Sequence, residues 1–426
     1  MKRTLAFGGL VATAGLLASG LAAPAQAAGD VASKPLASTG IAAKNIVAYW
    51  YANDAANLIG ATPYNVETKV VAKHISKGGP APDSKPGVVP AIGDEKKVAA
   101  KSKNINLPKT TGKVFFEGAD GKPHWCSATS VQSAYHNLVA TAGHCVYDTD
   151  SNAATLDNWV FIPGYYQGKT PWGIYVGKQA FTHYDFDVYE DGDRDYAFVT
   201  VYNGLKAPHD GVPHGNDKPV KSATGGTGWE NLGGWTEVTK DVYDQYKGAD
   251  TFIGDIAAVD GPDYNDVDKD GNKTETVTHY FVWKFVDAGR LGDNVGGQGL
   301  AYNQKIGSPV FVFGYPSGSH PDGNYAYSGK TLKWSYGKTF KATAASIKAE
   351  ELQAVKSSFT GEGALGSSWL LKYSNGRRLG YLNGVTIGVS DTDGNDRYDT
   401  SISPYFDGEL YGVYSAAKNL WSGSIA

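Results

Sequence analysis

The stretch Leu138-Val139-Ala140-Thr141-Ala142-Gly143-His144-Cys145 decides the reading of this chain. Four residues of apolar and β-branched character make a strand, and a small-residue turn then delivers a histidine next to a cysteine. The chain has one other cysteine, Cys126, within the string CSATS on what reads as the preceding strand. Two cysteines allow a single intramolecular pairing. Two buried thiols or half of a metal site are the other readings. An exported chain with two nearby cysteines and no accompanying ligand cluster argues for a disulfide.

Export is read from the N-terminus. Lys2 and Arg3 precede an unbroken run of apolar and small residues over 5–23, and Ala25-Gln26-Ala27 supplies the small residues that a signal peptidase reads. Residues 1–27 are therefore expected to be a signal peptide, and the protein to be secreted and extracellular. No later segment is apolar for long enough to span a bilayer. A net charge of -4 in 426 residues excludes the basic surface that nucleic acid requires. The 54 Gly, 27 Tyr and 10 Trp, with a single Met, lean towards aromatic strands and turns.

Residues 28–111 read as a propeptide-like extension, a helix followed by a flexible linker. Apolar residues recur at helical spacing over 41–59, and Gly60 and Pro63 end the pattern. The stretch 74–111 is rich in Pro, Gly and Lys without an apolar period. Strand signals begin at Gly112: 114–116, 138–141, 159–162 and 196–201, then 280–286, 310–313, 369–371 and 380–389. Short strands at this spacing favour barrels or a sandwich. The Gly- and Asp-rich stretch 203–278 reads as an insertion or connection between two sets of strands, and 411–418 as a short closing helix.

The string around His144 resembles T-A-[AG]-H-C of the trypsin/chymotrypsin-like serine proteases. Gly112 to Phe116, Trp159 to Tyr165, Gly314-Tyr315-Pro316, Tyr381 to Val385 and Ser403-Pro404-Tyr405-Phe406 are similar to the secreted bacterial V8-like (glutamyl endopeptidase-like) branch. The resemblance covers 112–426 apart from the middle insertion. It implies an all-β fold of two antiparallel six-stranded barrels, the first over about 112–202 and the second over about 279–415, with a cleft between them. It also implies that the disulfide fixes the turn carrying a general base, His144. Asp195, in Asp193-Arg194-Asp195-Tyr196-Ala197-Phe198-Val199, resembles the carboxylate that orients such an imidazole. The apolar run after it selects Asp195 from many neighbouring acids, and Asp255 is the weaker alternative.

The third position departs from the family. The nucleophile loop G-x-S-G aligns with Gly363-Ala364-Leu365-Gly366, so Leu365 stands where the serine belongs, with the amides of Gly363 and Leu365 as the oxyanion donors. Leucine has neither a proton to give His144 nor a lone pair to attack a carbonyl. Ser367 and Ser368 are the alternative nucleophiles, but Ser367 lies about 6–7 Å further along an extended loop. The expectation is a catalytically inactive homologue that engages peptide or protein in the old cleft, with Asn383, Gly384 and Val385 as the substrate strand. An endopeptidase acting through Ser367 or Ser368 is the alternative, and a monomer is expected. No cofactor is required. A structural calcium ion is the single candidate, at Asp266, Asp268 and Asp270, where Val277 replaces the closing glutamate of a calcium loop. A second acidic turn holds Asp391, Asp393, Asn395 and Asp399.

Overall fold

The computed structural model describes residues 30–64, 69–71, 80–94, 104–148, 153–207, 220–221, 229–230, 235–249, 254–262 and 275–425. The expected signal peptide and the calcium candidates Asp266, Asp268 and Asp270 lie outside the described residues. Two cylinders of antiparallel strands hold most of the buried apolar side chains.

The first consists of β1 (Thr111–Glu117), β2 (Pro123–Val131), β3 (Leu138–Thr141), β4 (Asp157–Pro163), β5 (Tyr175–His183) and β6 (Ala197–Val201). Pairing runs β5-β4-β1-β2-β3-β6, and β6 returns to β5, which closes the barrel. Val114, Phe116, Val139, Trp159, Phe161 and Phe198 fill it. The second uses β7 (Pro309–Gly314), β8 (Lys333–Lys338), β9 (Phe340–Ala344), β10 (Ala349–Lys356), β11 (Ser368–Ser374), β12 (Leu379–Val385), β13 (Gly388–Asp391) and β14 (Thr400–Pro404). Only Thr339 separates β8 from β9, and Thr386 and Ile387 separate β12 from β13, so each pair acts as one bent strand. The ring then runs β7-β8/β9-β10-β14-β13/β12-β11 and back to β7. This is the chymotrypsin-like double barrel expected from the sequence.

The strand signal at 280–286 belongs elsewhere. Thr276–Lys284 pairs with Gly254–Pro262 and Thr236–Val238 in a three-stranded sheet outside both rings. Its apolar run packs Phe281 and Trp283 onto the cluster that also holds Trp50 and Tyr165.

Helix α1 (Gly40–Gly60) matches the helical period read over 41–59. Thr39 caps it by accepting the Ala42 N–H at 3.1 Å. Its buried face carries Val47, Trp50 and Leu58. Trp50 meets Phe115 edge-on at 5.6 Å, and its indole N–H reaches the Asn158 carbonyl at 2.6 Å. The residues before and after it join the barrels as strands. Val31–Pro35 lies antiparallel to β5, and Gly87–Val89 lies antiparallel to Gly299–Tyr302. The closing helix α2 (Gly408–Ala417) begins three residues before the sequence expectation because the Asp407 carboxylate accepts the Glu409 and Leu410 N–H groups. Among the described residues no helix is long and apolar enough to cross a membrane.

Cys126 and Cys145 form a disulfide across a separation of 19 residues. Replacing both by serine is expected to cost about 3 kcal/mol, read as a lower denaturant midpoint, and reductant should shift the natural protein in the same direction.

Candidate functional site

His144 sits in a single 3-10 turn, Gly143–Cys145, at the end of β3. The turn is fixed from both sides. Cys145 is tied to β2 by the disulfide, and its carbonyl accepts the Trp159 indole N–H at 2.9 Å. A side chain at Gly143 would come within 2.5 Å of the Phe186 ring, and that ring stands edge-on to the His144 imidazole at 5.1 Å.

Asp195 meets this histidine twice. Its Oδ2 lies 2.7 Å from His144 Nδ1, and its Oδ1 accepts the His144 backbone N–H at 3.0 Å. The Asp195 side chain is 1% exposed and that of His144 13% exposed. A buried carboxylate against Nδ1 holds the tautomer that leaves Nε2 as the acceptor and stabilises the imidazolium. Asp255 is elsewhere, on the outer three-stranded sheet opposite Trp283.

The turn before Asp195 is braced on every side. Asp191 accepts the Asp193 N–H at 2.9 Å and pairs with Arg194 at 2.9 Å, and Arg194 also reaches Glu409 at 2.8 Å. Asp193 accepts the backbone N–H groups of Glu350 and Glu351 at 2.8 and 2.7 Å, so it joins the turn to β10 of the second barrel. Nothing in the sequence marks Asp193, because its partners are backbone groups more than 150 residues away.

The loop 361–366 comes from the second barrel and is held by the first. Ser127 N–H donates to the Leu365 carbonyl at 2.8 Å, Ser127 Oγ donates to the Gly363 carbonyl at 2.9 Å, and Ser127 Oγ accepts from Tyr315 N–H at 2.9 Å. Gly363 and Gly366 have φ of +67° and +79°. A side chain at Gly366 would lie 2.0 Å from the Ser127 carbonyl, and one at Gly363 would lie 2.2 Å from the Trp125 ring. Glycine is required at both places on conformation and on space. Leu365 is fully buried and belongs to the same apolar cluster as Cys126 and Cys145.

Ser367 and Ser368 follow the loop. Ser367 Oγ is buried, has no hydrogen-bond partner among the described residues, and packs against Gly314. Ser368 Oγ lies 3.3 Å from Thr111 Oγ1 and 3.5 Å from the Phe313 carbonyl. Asn383, Gly384 and Val385 lie inside the second barrel: Asn383 meets Gln353, a side chain at Gly384 would strike Ser403, and Val385 N–H donates to Ser403 Oγ. The strand with an accepting edge is the next one, β13.

That edge is occupied by the chain itself. Lys69–Val71 lies parallel to β13, opposite Val389 to Asp391. Upstream, Thr62 and Pro63 pair with His124 and Trp125, and Tyr64 N–H donates to the Trp125 carbonyl at 2.9 Å. The Tyr64 carbonyl in turn accepts the Gly363 N–H at 3.3 Å, the amide that the sequence marks as an oxyanion donor. The acidic turn at 391–399 is engaged internally: Asp391 accepts the Gly394 and Asp396 N–H groups, and Asp399 pairs with Lys356 at 2.7 Å.

No family model and no curated protein matches the chain. Solved structures do. Protease Anisep from Arthrobacter nicotinovorans is 19% identical over 74% of this chain and 98% of its own, with a TM-score of 0.46. A thermostable serine protease AL20 from an extremophilic microorganism is 20% identical over 73% of this chain and 97% of its own, with a TM-score of 0.45. A Glu endopeptidase is 13% identical over 75% of this chain and 95% of its own, with a TM-score of 0.41.

Two predictions follow from the bracing. Ser127→Ala removes a buried hydroxyl that both donates and accepts across the barrels, and should cost about 1–3 kcal/mol in chemical unfolding. Burial pushes the Asp193 carboxyl up from 3.8 to about 6, against the two backbone N–H groups that favour its charged form. Between those values the folded protein holds a proton that the unfolded chain releases, so stability falls as pH rises through that window. Asp193→Asn should flatten that part of the profile, measured as unfolding free energy against pH.

Proposed function

We propose that the chain is a secreted, catalytically silent member of the trypsin-like serine endopeptidases whose inter-barrel cleft binds extended peptide. The observation that carries the reading is the His144–Asp195 pair at 2.7 Å, in the first barrel, combined with a clamped glycine loop from the second barrel that carries Leu365. A base oriented by a buried carboxylate is of use only to a partner that gives up a proton, and leucine has none. Loss of a triad nucleophile removes about 10⁶ of the rate, which leaves binding as the remaining property of such a cleft.

Peptide binding is supported by the occupant already present. Thr62 to Tyr64 and Lys69–Val71 use backbone groups of Trp125, Gly363 and β13 as an extended ligand would, which is strand addition to an open edge. On this reading residues 28–111 are propeptide-like, with Thr62 to Tyr64 and Lys69–Val71 in the cleft, and a peptide or protein partner competes with them. The unpartnered, buried Ser367 Oγ favours a second reading, hydrolysis through a rearranged serine, but its packing on Gly314 requires the loop to be rebuilt first.

Labelling with a fluorophosphonate probe separates the two. The natural protein should not label. Leu365→Ser should label, and Leu365→Ser combined with His144→Ala should not. Removing the leucine side chain costs about 2–5 kcal/mol, so labelling is read on protein that still unfolds cooperatively. Labelling of the natural protein that disappears in His144→Ala would overturn the proposal in favour of Ser367 or Ser368.

A further inference from the structure

Lys113 is a lysine in the wall of an apolar barrel strand. Its neighbours Val114, Phe115 and Phe116 are buried, and Lys113 itself is 3% exposed. Its Nζ lies 3.2 Å from the centre of the Trp125 ring, 4.5 Å from that of Tyr165 and 5.6 Å from that of Tyr315. Among the described residues, no hydrogen bond or ion pair to this amine is present. An amine enclosed by ring faces keeps some attraction for its charge, but buried cations are ordinarily paired.

Lys113 opens on a cavity of about 500 Å³, within the range of sites that hold small organic ligands. Trp125 and Tyr165 form its aromatic walls, while Lys169 and Lys330, both exposed, stand at its mouth. Ala61 and Pro63 border it on the side of the N-terminal segment, and among the described residues no aspartate or glutamate lines it. A buried amine without an ion-pair partner among the described residues favours an anionic occupant. A single amine at the floor neutralises one charge, so a singly charged group fits and a dianion would stay partly uncompensated.

We propose that this cavity binds a carboxylate carried on an apolar or aromatic body, with the Lys113 ammonium pairing the carboxylate and Trp125 and Tyr165 covering the body. The carboxylate comes either from a free organic acid or from the C-terminus of a peptide. Burial drives the Lys113 amine well below the ordinary lysine range. An arriving carboxylate favours the charged form, so binding takes up a proton above that depressed value and weakens as pH rises. Among the described residues the other titratable groups facing the cavity and the amine are Lys169, Lys330, Tyr325, Tyr165 and Tyr315, and burial holds the last two in their neutral form.

The experiment is calorimetric titration of the full chain with 3-phenylpropanoate, with its neutral amide, and with an acetylated tripeptide ending in phenylalanine as the free acid or the amide. The acid should bind at least roughly tenfold more tightly than its amide. The peptide pair shows which source is preferred. Lys113→Met, which keeps the length of the side chain, should weaken the acid by a similar factor and abolish the proton uptake seen as a dependence on buffer ionisation heat. Equal binding of acid and amide would overturn the proposal, as would unchanged binding in a folded Lys113→Met or absence of binding at millimolar acid. The acid–amide comparison uses the natural protein, so it stands even where the variant misfolds. No readout involves His144 or Leu365, so failure here leaves the peptide-cleft reading intact, and the reverse also holds.

Discussion

Ser127 is the residue on which the arrangement of the cleft depends. It follows Cys126 on β2, so the disulfide that fixes the His144 turn also fixes the strand carrying Ser127. From there its backbone N–H and its hydroxyl hold the carbonyls of Leu365 and Gly363 and the N–H of Tyr315. Its own carbonyl accepts the Thr141 hydroxyl at 2.8 Å, which returns the tie to β3. One residue of the first barrel thus sets the height of the second barrel's loop relative to the histidine. Asp193 repeats the device two residues before Asp195, with its carboxylate on the backbone of β10. Directional polar contacts of this kind between the barrels favour one register, which apolar packing alone does not specify.

The N-terminal segment is held by the same kinds of force as the barrels. Helix α1 contributes Trp50 to a cluster that includes Phe115, Trp125 and Tyr165, and the strands flanking the helix add to the edges of both barrels. The path of Thr62 to Tyr64 along Trp125 then brings a carbonyl to the Gly363 amide. Packing, edge pairing and the Tyr64 contact to the Gly363 amide act together, and displacement of this segment requires all three to be given up.

Much of the site is legible in the sequence because its signals are local. The run into Ala142-Gly143-His144-Cys145, the apolar stretch after Asp195, and the glycines at 363 and 366 each declare themselves within a few residues. The strands that the sequence does not announce break the pattern for identifiable reasons. β5 carries Gly177, where a side chain would strike Leu36 and Trp159, followed by Lys178 and Gln179. β14 is Thr-Ser-Ile-Ser-Pro and fully buried, so hydroxyl groups occupy positions where an apolar signal is sought. Asn383 and Val385 of the expected substrate strand contact Gln353 and Ser403, and the N-terminal strand Lys69–Val71 pairs with Val389 to Asp391. Lys113 read as part of a strand start, because nothing in its neighbours announces the cavity that Trp125 and Tyr165 build around it.

The proposal turns on Leu365: it requires that the loop held by Ser127 present this position to His144, with the side chain as the missing part. The measurement that tests this most directly is a high-resolution crystal structure of Leu365→Ser. The account predicts that the introduced Oγ lies about 3 Å from His144 Nε2 while the Ser127 bonds to residues 363 and 365 persist. A serine hydroxyl turned away from the imidazole, or a loop that leaves Ser127, would contradict it.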